Sequence, residues 1–305
     1  MLSEMSLRIR TRLVVVCCFA AVLVSLTQSV FAQQLTFEDI KRLPVHAGGQ
    51  RLSYGGDPFQ FGELRLPKGK GPYPVVIVIH GGCWYSEYDL NHLGSFNAQI
   101  TELGVATWSL EYRRVGNPGG GWPGTFADVA QGADYLRTLA RTYPLDLKRV
   151  IVVGHSAGGQ LALWLAARHR LPANSALYDK NPLLIHGVVS LAGVTDLKKF
   201  RPNCRDAVIK LLGGPPEQVA DRYQQTSPLE LLPLGVEQRL IIGAADGIVP
   251  AELGTSYQIA AQEKGDRVDL TNIAGAGHFD LIAPQSLAWP AIQKAIRSLL
   301  NLRER

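Results

Sequence analysis

The chain has 305 residues, 46% of them hydrophobic and 19% charged, with a formal net charge of +5. That balance excludes a disordered, collagen-like or coiled-coil chain, and the length is ample for a domain with a real core. Part of the positive charge sits at the start, as Arg8, Arg10 and Arg12 against Glu4. What remains is too small to imply a nucleic-acid partner, and no basic stripe or helix-turn-helix signature argues for one.

Residues 1–32 read as an export signal. The three arginines form a positive start, residues 13–26 are apolar and uncharged, and Val30 and Ala32 place small side chains before a cleavage point after Ala32. The apolar run is shorter than the ~18–20 residues a spanning helix needs, so cleavage is expected rather than stable membrane insertion. The product is a single domain over 33–305, secreted or periplasmic. It keeps Cys83 and Cys204, and an oxidising compartment permits a bridge between them, two separate thiols being the alternative.

The elements that follow alternate. Residues 59–66 read as a strand in a leading antiparallel hairpin. Runs rich in Val and Ile at 75–79, 105–110, 150–153, 185–191 and 240–242 read as buried strands, and 268–273 as a half-polar strand nearer an edge. Helices are expected at 90–103, 126–143, 157–169, 251–264 and 286–300. In the second of these, Val129, Ala133, Leu136 and Ala140 recur at three- and four-residue spacing. Such alternation predicts an α/β domain with a mostly parallel sheet and helices on both faces. Ligands of such sheets bind beyond the carboxyl ends of the strands, so the residues just after each strand carry the functional question.

The 150–153 strand runs into Gly154-His155-Ser156-Ala157-Gly158-Gly159 and then into a helical stretch. This is G-x-S-x-G between strand and helix. A sharp turn there lifts a serine side chain clear of the sheet, and its neighbours are small because the backbones crowd. The alternative is an ordinary strand-to-helix turn, but Ser156 has suitable partners. A base must take its proton, and a carboxylate must orient that base. Asp246 follows the 240–242 strand, and His278 lies in a glycine-rich loop after 268–273, in the order serine, acid, histidine. Asp196 is the rival acid, and Asp280 stands too near His278 to orient it easily. His155 is expected to pack or cap inside the turn, Phe279 to pack the histidine loop, and His46 and His92 to be solvated.

The 75–79 strand ends in His80-Gly81-Gly82-Cys83-Trp84-Tyr85. A glycine turn exposes backbone N–H groups that can bind a tetrahedral oxyanion. The expected donors are Gly82, Cys83 and Ala157, with Gly81 needed for the turn. Cys83 replaces the third glycine of an HGGG-type loop, which backbone donors tolerate. His80 is expected to hydrogen-bond the loop. Trp84 and Tyr85 either wall a substrate pocket or pack in the core. No H-E-x-x-H, CxxC pair, EF-hand loop or strand-end G-x-G-x-x-G appears, so neither a metal nor another cofactor is expected.

Together the His80–Trp84 loop, the Gly154–Gly159 turn, Asp246-Gly247-Ile248-Val249-Pro250 and Gly277-His278-Phe279 resemble an α/β-hydrolase. The nearest groups are the esterase/arylformamidase branch with its His-Gly-Gly-x-Trp loop and the catalytic domain of prolyl-oligopeptidase-type serine peptidases. Glu111-Tyr112-Arg113-Arg114 and Thr226-Ser227-Pro228-Leu229 are similar to segments of that branch, and the likeness covers residues 58–300. It implies a serine hydrolase acting on a small-molecule ester or amide through an acyl-enzyme. Carboxylic ester cleavage is the leading reading, with arylformamidase and peptidase activities as alternatives, since fold does not choose the reaction. Glu87, Asp89 and Glu111 have no assigned role, and no acidic pair is evident to grip a peptide amino terminus. A non-catalytic binding protein that kept the fold is disfavoured by the intact serine, acid, histidine and glycine loop. The stretch between the 185–191 and 240–242 strands, with Gly213-Gly214-Pro215-Pro216, is expected to form a small cap of two short helices.

Overall fold

The computed structural model describes residues 34–44 and 49–302. The export segment expected at 1–32, with its cleavage point, and His46 lie outside the described residues. The chain enters through a short helix, α1 (Phe37–Lys41), closed at its start by a reciprocal cap between Thr36 and Asp39. It continues into β1 (Gln50–Ser53) and β2 (Phe61–Arg65), the expected antiparallel hairpin.

Six further strands follow: β3 (Tyr73–Ile79), β4 (Ala106–Leu110), β5 (Leu145–His155), β6 (Gly187–Leu191), β7 (Glu237–Gly243) and β8 (Val268–Ile273). The described residues thus build one eight-stranded sheet in the order β1-β2-β4-β3-β5-β6-β7-β8. β2 runs antiparallel to β4, and every later pairing is parallel. β3, β4 and β6 are buried at every position; β3 is a nearly continuous apolar run, whereas β4 buries Thr107 and Ser109 and β6 buries Ser190. β8 at the far edge is half exposed, as its polar residues require. β5 begins at Leu145, earlier than the apolar run at 150–153. Its first turn of sequence, with Asp146, Lys148 and Arg149, is only partly covered, and pairs with β3 across a register shift at Pro74/Val75.

Helices α2 (Gly94–Thr101), α3 (Gly124–Asp134), α4 (Leu136–Leu139) and α5 (Ala157–Ala167) occupy the expected stretches. The first is preceded by a 3-10 turn at Leu90–Leu93, capped by Asp89. α3 and α4 meet at Tyr135, whose backbone stays right-handed helical. α5 is buried along its whole length and packs on β5 and β6, which explains why it shows no polar face.

Between β6 and β7 lies the cap. It holds three short helices, α6 (Leu197–Phe200), α7 (Ala207–Leu212) and α8 (Ala220–Thr226), and a 3-10 turn at Pro228–Leu231. That is one helix more than the two expected; α6 is a single turn started by Asp196, which caps the amides of Lys198 and Lys199. The cap is stitched to the body by Gln160 Nε2 donating to Thr226 O at 2.8 Å and Trp164 Nε1 donating to Gln225 O at 3.1 Å. Two long helices, α9 (Ala251–Glu263) and α10 (Trp289–Leu300), complete the fold, and α10 packs across β5, β6 and β7. Among the described residues no helix is long and apolar enough to cross a membrane.

Candidate active site

β5 hands over to α5 at Ser156, whose backbone is at φ 56°, ψ −121°. A positive φ on a residue with a Cβ costs on the order of 1–3 kcal/mol and persists only where its surroundings enforce it. Here Ser156 N donates to Leu191 O at 2.8 Å, and Gly159 N donates back to Ser156 O at 2.9 Å. The flanking glycines are a steric necessity. A Cβ on Gly154 would lie 2.0 Å from Gly158 O, and one on Gly158 would lie 2.1 Å from Ile79 O. Ser156 is therefore at the tip of a forced turn, at the carboxyl end of a central strand and the N-terminus of a buried helix.

The loop after β7 delivers Asp246. Its Oδ1 accepts from the amides of Ile248 at 2.7 Å and Val249 at 3.0 Å, which leaves Oδ2 to meet His278 Nδ1 at 2.7 Å. Both side chains are almost fully buried. Nδ1–H donating to the carboxylate makes Nε2 the basic nitrogen of His278. The rival acids go elsewhere: Asp196 caps α6, and Asp280 accepts from the amides of Gly277 at 2.9 Å and Leu35 at 3.3 Å. Asp280 thus braces the loop that carries His278. His155, the residue before Ser156, donates from Nε2 to His278 O at 3.0 Å, with the two rings 4.5 Å apart. Burial, then the neighbouring His278, holds the His155 pKa well below the usual histidine range, so this ring is a neutral strut between turn and loop. Phe279 packs against His278, His155 and Phe37 as expected.

At the end of β3 the chain takes three successive positive-φ residues, Gly82, Cys83 and Trp84. Gly81 admits no side chain, since a Cβ there would lie 2.8 Å from His155 O and 3.0 Å from Ser156 Cβ. The loop is thereby pressed against the serine turn. Cys83 is disulfide-bonded to Cys204 of the cap. Trp84 corrects one expectation. It is fully buried, donates from Nε1 to Gln160 Oε1 at 3.1 Å and meets Phe200 edge-on, so it is a core residue and walls no pocket. Tyr85 is also largely buried; its hydroxyl donates to Arg205 O at 2.8 Å, and the Arg205 and Lys210 cations lie over its ring.

His80 hydrogen-bonds the loop, as expected: Nδ1 lies 2.8 Å from Gly81 O and Nε2 lies 3.1 Å from Glu111 Oε1. Glu111, left without a role by the sequence, is the centre of a buried cluster. It also takes Arg114 Nη1 at 2.7 Å and the amides of Leu90 and Tyr112. Burial raises its pKa, but His80, Arg114 and the Leu90 amide outweigh that, and the net displacement is downward. His92, expected to be solvated, instead packs edge-on against His80 and Phe37. Burial, then His80, lowers its pKa to about 3. The position of Glu111 after β4, in the Glu-Tyr-Arg-Arg run, was the only signal for this cluster. Among the described residues no group of three or more His, Cys, Asp or Glu is placed to hold a metal ion.

The BD-FAE family model matches residues 63–259 of the chain. A probable isoprenylcysteine alpha-carbonyl methylesterase of Arabidopsis thaliana is 24% identical over 295 residues, covering 91% of this chain and 66% of that one. A probable isoprenylcysteine alpha-carbonyl methylesterase of Oryza sativa is 23% identical over 252 residues, covering 77% of this chain and 57% of that one. The chain thus spans less than two thirds of the length of these curated relatives. Among solved structures, a truncated carbohydrate esterase from gut microbiota aligns with a TM-score of 0.72 at 18% identity, covering 84% of this chain and 98% of that one. Esterase B from Lactobacillus rhamnosis aligns with a TM-score of 0.72 at 19% identity, covering 87% and 91%. The fold is that of the α/β-hydrolases.

Proposed function

Since the chain belongs to the BD-FAE family, whose model covers its nucleophile turn and its acid, we propose that it is a serine carboxylic ester hydrolase. The observation that carries this reading is the Asp246–His278 hydrogen bond at 2.7 Å in a loop pinned to the residue before Ser156. Ser156 Oγ attacks the ester carbonyl carbon while His278 Nε2 takes its proton. The carbonyl π electrons move to oxygen, where the N–H groups of Gly82, Cys83 and Ala157 receive the charge. Collapse expels the alcohol, protonated by His278, and water repeats the sequence on the acyl-enzyme. Asp246 keeps the imidazole in the required tautomer and stabilises the imidazolium. Tyr85, two residues after the disulfide-bonded Cys83, remains the candidate for a wall of the substrate cleft.

Substrates are small or medium carboxylic esters. The names of the relatives, methylesterases and carbohydrate esterases among them, support ester cleavage over formamide or peptide cleavage. The enzyme acts outside the cytoplasm: the residue pattern of 1–32 and a Cys83–Cys204 bridge, of a kind that persists in oxidising compartments, both favour export.

The test is kcat/KM of the purified chain on p-nitrophenyl butyrate and on N-formylkynurenine, with Ser156→Ala as the blank. A strong preference for the butyrate, lost in the blank, is expected. A preference for the formamide would move the reading to arylformamidase, and ester hydrolysis retained by Ser156→Ala would overturn the nucleophile. Processing is checked separately, by N-terminal sequencing of protein recovered from the periplasm or medium; a start other than Gln33 would refute cleavage after Ala32.

A further inference from the structure

A peptide group is planar, and in its trans form the C=O and N–H point in opposite directions. The carbonyl of Gly81 and the N–H of Gly82 belong to one such group. Gly81 O is held by His80 Nδ1 at 2.8 Å. That hydrogen bond directs the Gly82 N–H to the opposite side. The preceding carbonyl, His80 O, is held as well, by Tyr112 Oη–H at 2.8 Å, and the Tyr112 ring stacks on the His80 ring with centroids 4.4 Å apart.

What holds His80 is Glu111. Its Oε1 lies 3.1 Å from His80 Nε2 and 2.7 Å from Arg114 Nη1, and its Oε2 accepts from Leu90 N at 3.1 Å. Gly81 O and the Glu111 carboxylate thus hold the His80 ring from its two nitrogens and fix its orientation. Arg114 reaches on to Tyr88 O, and the Tyr88 side chain stands against Gly82, where a Cβ would lie 2.3 Å from Tyr88 Cβ. The cluster is sealed from water: the side chains of His80, Glu111 and Arg114 are at most 2% exposed. The acylation steps above use none of these three residues.

We propose that Glu111 is a positioning residue of the oxyanion hole, acting through His80 on the Gly81–Gly82 peptide plane and through Arg114 on the Tyr88 backing of Gly82. The inference rests on the esterase reading and deepens it. Its signature is selective. Loss of Glu111 misaims a donor that matters only when the carbonyl oxygen becomes an oxyanion, so the transition state suffers and ground-state binding does not.

The experiment compares wild type, Glu111→Gln, Glu111→Ala and His80→Asn on p-nitrophenyl butyrate, with active sites counted by a fluorophosphonate. Each is also titrated with a trifluoromethyl ketone, which binds as a tetrahedral adduct: Ser156 Oγ bonds to the carbonyl carbon, its proton goes to His278, and the ketone oxygen becomes the oxyanion. Losing one oxyanion-hole donor costs on the order of 10²–10³ in kcat, and a misaimed one is expected to cost roughly 10–100-fold. In Glu111→Ala, kcat per active site falls by that factor, KM stays within about threefold, and the ketone Ki rises in parallel with the fall in kcat/KM. Glu111→Gln, which keeps an acceptor for Leu90 N, recovers part of the loss. His80→Asn, which keeps an amide donor near the Nδ1 position but loses Glu111, falls between Glu111→Ala and wild type. Should Glu111→Ala fail to fold, Glu111→Gln and His80→Asn carry the same comparison. Unchanged kcat and Ki in a folded variant, or a fall in kcat with unchanged Ki, overturns the positioning role. A wild-type chain inert to both ester and fluorophosphonate overturns the esterase reading, and the positioning role with it.

Discussion

The His278 imidazole and the Asp246 carboxylate, from loops after different strands, meet at 2.7 Å, and the other oxygen of Asp246 is already committed to two backbone amides. The carboxylate is oriented before the histidine reaches it. Replacing Asp246 with Asn presents an amide that can turn its NH2 toward Nδ1 and favour the wrong tautomer. Ester kcat is expected to fall on the order of 10³–10⁴, with thermal stability changed far less. Activity within about tenfold of wild type would remove Asp246 from the triad.

Gly158 is the point where α5 touches the end of β3 and the loop that follows it. A Cβ there would lie 2.1 Å from Ile79 O and 2.5 Å from His80 O, both backbone atoms that cannot swing aside. Gly158→Ala is expected to destabilise the fold by roughly 2–4 kcal/mol and to lower kcat by pushing the loop off the serine. Gly56→Ala is the control, because nothing lies within 4 Å of its added Cβ. Equal melting temperatures for the two variants would contradict the close approach.

The bridge between Cys83 and Cys204 spans 121 residues and ties an expected oxyanion donor to the cap. Cys204→Ser is expected to cost roughly 2–4 kcal/mol, which in a domain of this size is about 5–12 °C in Tm. Because Cys83 sits at φ 51°, a conformation that free L-residues avoid, kcat should fall as well. Incubation with a dithiol reductant should reproduce both effects in wild type and neither in Cys204→Ser. A reductant-insensitive wild type would show that the bridge does not hold the loop.

Stability should decline on the acid side through histidines that transfer no proton in the proposed reaction. His92 and His155 are held neutral in the fold, both primarily by burial, His92 down to about 3 from an ordinary 6.5. The unfolded chain therefore binds protons that the folded chain refuses once pH drops below 6.5, and stability rises with pH across that window. Each such histidine contributes a slope of up to about 1.4 kcal/mol per pH unit. Glu111 adds to the loss lower down: its folded pKa lies below 4.5, so its stabilisation fades as pH falls through that region. Urea midpoints measured between about pH 7.5 and pH 5 should fall steadily, and His92→Asn should flatten the curve. A pH-independent midpoint would refute the burial of both rings.

Much of this was legible in the residues. The Val and Ile run of β3 and the Val pair of β6 mark strands buried on both faces. Glycines at 154, 158 and 159 mark the serine turn because backbone atoms stand where their Cβ would be. The start of β5 was not legible, since only Leu145 and Asp146 pair with β3 before a register shift, and the polar residues at 148 and 149 fall within that shift. Trp84 could not be placed either: a large amphipathic ring after a glycine loop suits a core or a cleft equally, and only Gln160, 76 residues away, settles it. The coupling of His80 to Glu111 crosses two strands, and no local periodicity encodes such a contact.

The arm that opens the described chain has its own consequence. Leu35 and Gly277 share the carboxylate of Asp280, Gln34 lies against Gly277, and the Phe37 ring spans from Phe279 to Tyr88. Arm and histidine loop therefore fray as a unit, so proteolytic nicking of one should expose the other. The minimal active fragment is correspondingly long. A chain trimmed to residues 63–259, the stretch the family model matches, would retain Ser156 and Asp246 but discard both His278 and the arm that braces its loop.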